Sequence, residues 1–184
     1  MFRDSLKAFV GEWCDLTAQQ LGRLEAHYRL LVKWNRVINL TRIEEESEAV
    51  RRHYAESLFL AQQLGAASSV ADLGSGAGFP GVPVAILNPD VKVTLIESHA
   101  RKSVFLKEAT RDLSNVRVLT RRFEDVSERF DCVISRAVSW EDLSESVGKL
   151  ADRALLLATH TPDGPSGSWI ELPWEKERGV LQVR

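Results

Sequence analysis

The residues best suited to chemistry lie in one run, Val70-Ala71-Asp72-Leu73-Gly74-Ser75-Gly76-Ala77-Gly78-Phe79-Pro80-Gly81. Three glycines at alternate positions follow a short apolar stretch. Glycine carries no Cβ, so the chain can turn sharply there and its amide N–H groups can approach a ligand closely. This is the chemistry of a loop that cradles a nucleotide cofactor at the carboxyl end of a strand.

Two parses of the loop compete. Gly76, Gly78 and Gly81 satisfy the dinucleotide pattern G-x-G-x-x-G, but Pro80 falls inside it and the following helix starts later. The other parse is Asp72-x-Gly74-x-Gly76-x-Gly78, an acidic residue two before the first glycine. That is the pattern of proteins that bind S-adenosyl-L-methionine as a methyl donor. This cofactor has no pyrophosphate to seat on a helix N-terminus. It has an ammonium and a sulfonium, which suit a carboxylate close to the loop. Asp72 either faces those cations or ties backbone amides of its own turn.

Further along, Glu97 ends a second apolar run, where an acidic side chain can accept both hydroxyls of a ribose. It can equally cap the helix that starts at Ala100. Arg121-Arg122-Phe123-Glu124-Asp125 follows the third run. In this architecture that loop flanks the adenine, so Phe123 can pack on the base and Glu124 can accept from its amine; a plain surface turn has the same spacing. Ile134-Ser135-Arg136-Ala137 follows the fourth run and faces the methyl group and substrate. Arg136 can bind a substrate phosphate or base edge, or pair with a structural carboxylate.

Missing residues narrow the reaction. The Asp/Asn-Pro-Pro-aromatic tetrad of amino-group methyltransferases is absent. Cys132 lies within a strand and Cys14 in the N-terminal part, so neither is a ready pyrimidine nucleophile. Neither Tyr28 nor Tyr54 has a Lys four residues on, so the short-chain dehydrogenase pair is missing. What remains is a target that is already nucleophilic. Guanine N7 is one, with an in-plane lone pair and no proton to remove. No general base is required, and catalysis would be proximity and orientation.

The elements that must position these groups can be read from periodicity. Residues 1–65 read as helices. Phe2, Leu6, Phe9, Val10 and Trp13 recur at helical spacing, Thr17 and Gln20 form a capping box, and a third helix runs from Glu44 to Leu64, closed by Gly65. From Ala66 short apolar runs alternate with amphipathic stretches. Strands are expected at Ser69–Leu73, Lys92–Ile96, Val116–Leu119, Phe130–Ser135 and Ala154–Ala158. Helices are expected at Pro83–Leu87, Ala100–Leu113 and Ser139–Leu150. The alternation predicts crossover units and a mostly parallel α/β sheet. Thr161–Ser168 reads as a loop. Trp169–Leu172 and Gly179–Val183, joined by a Pro173–Arg178 turn, would form an antiparallel edge hairpin. The division predicted is a helical extension over 1–65 and a Rossmann-like cofactor-binding domain over 66–184.

The 184 residues include 44% hydrophobic and 27% charged side chains, with a net charge of −2. This is the balance of a soluble domain with a real core, and it argues against a strongly basic nucleic-acid wrapper. Arg51, Arg52, His53, Arg101, Lys102, Lys107, Arg111, Arg121 and Arg122 can form a phosphate-binding rim or simply solvated helix faces. Two distant cysteines and four unpaired histidines predict neither zinc site nor disulfide scaffold. No apolar run nears the roughly 20 residues that span a bilayer. A reduced, cytosolic location is expected.

With these residues in view, the chain resembles the bacterial 16S ribosomal RNA guanine-N7 methyltransferase family, also called glucose-inhibited division protein B. Four segments carry the resemblance: Trp34-Asn35-x-x-x-Asn39-Leu40-Thr41, Arg52-His53-Tyr54-Ala55-Glu56-Ser57-Leu58, the loop Asp72–Pro83, and Phe130-Asp131-x-Val133-x-Ser135-Arg136-Ala137. It covers about residues 20–158, with a weaker match at Glu177–Leu181. The family places Lys-Gly where this chain has Thr159-His160-Thr161-Pro162, and a helical segment before the last hairpin is deleted. The resemblance implies cofactor contacts at Gly74, Gly76, Gly78, Phe79, Phe123, Glu124 and Arg136, with Glu97 as ribose ligand. It implies a guanosine of small-subunit rRNA as substrate; the net charge of −2 leads to the expectation of weak binding to bare RNA and recognition of an assembled particle, by a monomer. A small-molecule methyltransferase and a ribosome-binding protein without turnover are the rival readings; a nicotinamide oxidoreductase fits least.

Overall fold

A computed structural model describes residues 1–159 and 165–183. The predicted loop after the fifth strand, and the Thr159–Pro162 departure from the family pattern, fall largely outside these residues.

The N-terminal part holds α1 (Phe2–Val10) and α2 (Ala18–Asn35). Thr17 and Gln20 form the predicted capping box, each side chain taking up a backbone N–H of the other. The third predicted helix is not one regular helix. It runs as α3 (Glu46–Ala49), a π-helical turn (Val50–Ala55) and α4 (Glu56–Gln62). Periodicity alone does not separate an i→i+5 turn from the α-helix around it. Gly65 takes φ +61 just after α4, a conformation that costs a residue without Cβ little.

The rest alternates β1 (Ser69–Leu73), α5 (Gly81–Leu87), β2 (Lys92–Ile96), α6 (Ala100–Ala109), β3 (Val116–Leu119), a single 3₁₀ turn (Phe123–Asp125), β4 (Cys132–Arg136), α7 (Trp140–Leu150) and β5 (Ala154–Thr159). It closes with β6 (Ser168–Leu172) and β7 (Glu175–Val183). The sheet order is β3-β2-β1-β4-β5-β7-β6. The first five strands pair in parallel, and β7 runs antiparallel to both β5 and β6. This is the Rossmann-like sheet with an antiparallel edge.

Several boundaries differ from expectation by one to four residues, and three of them are instructive. The fourth strand begins at Cys132, because the Asp131 carboxylate accepts N–H bonds from Ser68 and Ser69 and so caps the start of β1. The helix after Ala100 ends at Ala109, where the Thr110 hydroxyl bonds back to the Leu106 carbonyl. The last hairpin turns at Pro173 and Trp174 alone, so β7 starts at Glu175.

Each face of the sheet buries its own apolar set. On one side Val70, Val93 and Leu95 pack with α5, α6 and the N-terminal helices, including Phe2, Leu24, Tyr54 and Leu58. On the other, Ala71, Leu73, Ile96 and Val133 pack with Leu143, Val147 and Leu150 of α7. Parallel strands covered on both faces are mostly apolar, and the buried residues of β1 and β2 are so except for Asp72 and Thr94.

Candidate functional site

In such a sheet the carboxyl ends open a crevice where the strand order reverses, here between β1 and β4. The glycine loop leaves β1 into this crevice. Gly74 has φ +72, and a Cβ on it would sit 2.9 Å from Val138 Cγ2; Gly78 has φ +89, and a Cβ there would sit 2.7 Å from Val82 Cγ2. Both positions thus require glycine for space and for backbone angle. The loop is held from β2: the Gly74 and Ser75 N–H groups donate to the Ile96 carbonyl at 3.0 and 3.1 Å.

Beside the loop lies an open cleft of about 280 Å³, lined by Gly74, Ile96, Ser98, Phe123, Glu124 and Val138, among others. Glu97 sits between two lining residues. Its Oε2 accepts the Gly76 N–H at 2.8 Å and its Oε1 accepts the His99 N–H at 2.7 Å. Each carboxylate oxygen retains a further lone pair. Glu124 is exposed and pairs with Arg122 at 3.0 Å, which holds its carboxyl below the usual range. Lys149 of α7 donates to the Glu124 carbonyl at 2.9 Å and fixes this short turn. The fold therefore brings Gly74, Phe123 and Glu124, far apart in the chain, to one opening, and Glu97, bonded to Gly76, stands between two of its lining residues.

Two predicted residues stand elsewhere. Asp72 has no accessible surface. Its Oδ2 accepts the Gly81 N–H at 3.1 Å, while its Oδ1 is buried without a partner. Burial pushes its pKa up to about 7. The carboxylate thus ties the loop to the first turn of α5, which is the second of the two roles the sequence left open for it. The Phe79 ring is likewise 3% exposed. It stacks on His53 (4.5 Å, 19°), meets His27 and Tyr54 edge-on at 5.1 Å each, and has the Arg136 guanidinium 5.1 Å from its centroid. That ring is a support for the loop and offers no face to a ligand.

Several of these supports were passed over in the sequence. His27 of α2 is buried beneath the loop. Its Nε2 lies 3.1 Å from the Ala77 carbonyl, which can only accept, so Nε2 carries the proton. Nδ1 then accepts from the Tyr54 hydroxyl at 2.8 Å. Burial lowers the His27 pKa to about 4, so the ring is neutral. His27 lay within an ordinary helical stripe and carried no sequence signal. His53 and Tyr54, by contrast, stand in the Arg52–Leu58 segment.

Arg136 ends β4 at the carboxyl edge of the parallel strands. Its Nη1 donates to the Arg52 carbonyl at 2.8 Å. Burial lowers its pKa to about 10, so it remains a cation at neutral pH. Ala137 follows at φ +62 and turns the chain away. Near Arg136, the fully buried Glu56 carboxylate is gripped by Arg178 through two bonds of 2.8 and 2.9 Å. Arg51 and Arg52 both pair with Glu175, at 2.9 and 3.3 Å, and His53 is buried. These three are therefore not part of a free basic rim. Arg101, Lys107 and Arg121 are exposed. Cys132 is buried in β4 with its thiol pushed up to about 11, a poor nucleophile. Among the described residues no His, Cys, Asp and Glu cluster can hold a metal, and no helix is long and apolar enough to cross a membrane.

Known proteins resemble this chain in sequence and in fold. Ribosomal RNA small subunit methyltransferase G of Chromobacterium violaceum is 41% identical over 137 residues, which cover 72% of this chain and 65% of that protein. The Aquifex aeolicus protein of the same name is 39% identical over 78% of this chain and 77% of its own. The chain thus spans just under two thirds of the first of these relatives. In fold, the S-adenosylmethionine-dependent methyltransferase SibL matches with a TM-score of 0.60 at 13% identity, over 98% of this chain and 73% of that one. A family model described as rRNA small subunit methyltransferase G matches residues 20–158, three quarters of the chain and all of the cleft and loop, so this chain belongs to that family.

Proposed function

We propose that the protein transfers a methyl group from S-adenosyl-L-methionine to N7 of a guanosine in small-subunit ribosomal RNA. The observation that carries the reading is that the glycine loop and the Phe123–Glu124 turn line one cleft, with Glu97 bonded to the loop beside it and Arg136 at the end of β4, the strand next to β1 at the switch point.

The residues present fit the cofactor. Gly74 leaves room where any Cβ would collide with Val138, and Glu97 holds acceptor capacity at the ribose position. Phe123 provides an apolar wall for adenine, with Glu124 as acceptor at its edge. S-adenosylmethionine, when bound, supplies an electrophilic methyl on a cationic sulfur. The chain's own task is to align the purine with that methyl and to exclude water. No side chain need take a proton, because N7 carries none. That agrees with the inert Cys132 and with the neutral, enclosed His27 and His53. Arg136 would hold a phosphate or base edge; its charge does not assist the step, since the methylated purine becomes cationic.

With a net charge of −2 the protein is suited to an assembled small subunit more than to bare RNA, acting as a monomer in the cytoplasm. The test is transfer of a labelled methyl group to small subunits lacking the native modification. Label at guanine N7, lost on ribonuclease treatment, supports the reading. Bound S-adenosylhomocysteine without any transfer removes the activity, and ribonuclease-resistant label moves it to a small molecule. Calorimetry with S-adenosylhomocysteine against NAD separates the cofactor classes.

A further inference from the structure

The π-helical turn Val50–Ala55 is the least regular helical element of the described chain, and three consecutive residues in it reach three parts of the site. The Arg52 carbonyl accepts from Arg136 Nη1 at 2.8 Å. The His53 ring stacks on Phe79 at 4.5 Å. The Tyr54 hydroxyl donates to His27, which in turn holds the Ala77 carbonyl of the glycine loop. An ordinary α-helical turn points successive residues about 100° apart and onto the preceding turn; the wider i→i+5 turn re-aims them, and such turns recur at functional sites.

Phe79 is the common surface of this arrangement. His53 lies flat against its ring, and the Arg136 guanidinium lies 5.1 Å from the same centroid. A planar cation over an aromatic face is held in direction as well as place. His53 is itself fixed: its Nε2 lies 2.8 Å from Thr41 Oγ1, which also accepts the Ile43 N–H at 3.0 Å. It is 4% exposed, and its Nδ1 is buried without a partner. An unpaired buried nitrogen costs stability, so its persistence here asks for a reason beyond packing. A neutral ring suits this place, because a charged one would repel Arg136.

The geometry points to His53 as a positioning residue for Arg136, acting through the Phe79 ring and the π-helical turn they share. This rests on the reading of Arg136 as the group that orients the substrate. His53 touches no ligand and moves no proton. Its work is to hold Phe79 and the Arg52 carbonyl where they aim the guanidinium into the crevice.

The test is a double-mutant cycle between His53→Asn and Arg136→Lys, with methyl transfer to unmodified small subunits and S-adenosylhomocysteine binding as readouts. His53→Asn is expected to lower kcat/KM for subunits by about tenfold or more while changing the S-adenosylhomocysteine Kd by less than about threefold. Added to Arg136→Lys, it should cost less than about twofold more, since residues acting as a unit are not additive. Multiplying effects, or a parallel loss of S-adenosylhomocysteine binding, would overturn the assignment. Thr41→Val, which removes the brace on His53 without touching Phe79, should move kcat/KM in the same direction; no change there counts against it. A readout free of turnover is the Arg136 Nε–H signal in proton–nitrogen NMR spectra. It should shift in His53→Asn and return toward the wild-type position in His53→Gln, whose amide can reach Thr41. If the wild type transfers no methyl group, the proposed function fails, and the NMR signal alone decides for or against His53.

Discussion

Glu97, the residue after β2, holds the Gly76 N–H of the loop after β1 at 2.8 Å, and with its other oxygen the His99 N–H at the start of α6. One carboxylate thus orders the loop and joins it to the start of α6. Glu97→Ala should weaken S-adenosylhomocysteine binding by roughly 10–100-fold, the worth of charged hydrogen bonds at a site. Glu97→Gln should lose less, because its amide oxygen still accepts. An unchanged calorimetric Kd in Glu97→Ala would exclude Glu97 from the site.

Space around two glycines differs sharply. A Cβ on Gly81 would overlap Leu95 Cδ2 and lie 2.5 Å from Asp72 Oδ2, whereas one on Gly148, within α7, meets nothing within 4 Å. Gly81→Ala should destabilise the protein by about 1–3 kcal/mol through overpacking. Gly148→Ala should stabilise it by about 1 kcal/mol through helix propensity. Urea unfolding of the two variants reads both signs.

Arg178 of β7 grips the fully buried carboxylate of Glu56 on α4, and so joins the edge hairpin to the N-terminal helices. Arg178→Ala leaves that charge without a partner and should cost roughly 3–5 kcal/mol. A loss below about 1 kcal/mol in chemical denaturation would show that the pair contributes little.

Acid should unfold the protein through its buried histidines. Burial lowers the pKa of His27 to about 4 and that of His53 to about 3, from 6.5. Between pH 6.5 and 4 the unfolded chain binds these protons and the folded chain does not, so stability falls on acidification. Asp72, raised to about 7, acts in the opposite sense: the folded chain keeps a proton that the unfolded chain releases above its ordinary value. Two protons against one leave a net slope of about 1 kcal/mol per pH unit. His27→Gln should flatten it. Urea titrations at about pH 6.5, 5.5 and 4.5 provide the check.

Most of the sheet was legible because strand and helix leave different periods, and because buried parallel strands must be apolar along their length. The glycine loop was legible because few residues other than glycine can adopt its backbone angles. The π-helical turn was not, since it shares its composition with the α-helices on either side. Asp72 and Phe79 were recognised as belonging to the loop, but whether a side chain faces a ligand or the loop's own interior depends on which elements pack behind it.

The sequence by itself therefore determined the order of the elements, the glycine loop after β1, and the acidic residue after β2, all of which follow from local backbone preferences and chain spacing. The tertiary structure alone decided that helices from the first 65 residues form the back of that loop, through His27, His53 and Tyr54. It also decided that Asp72 is a tie within the turn and that Arg136 answers to the Arg52 carbonyl. These are long-range contacts, set by how the two faces of the sheet are covered, and spacing along a chain does not encode them. The glycine loop is thus one wall of a cleft whose other walls come from distant segments.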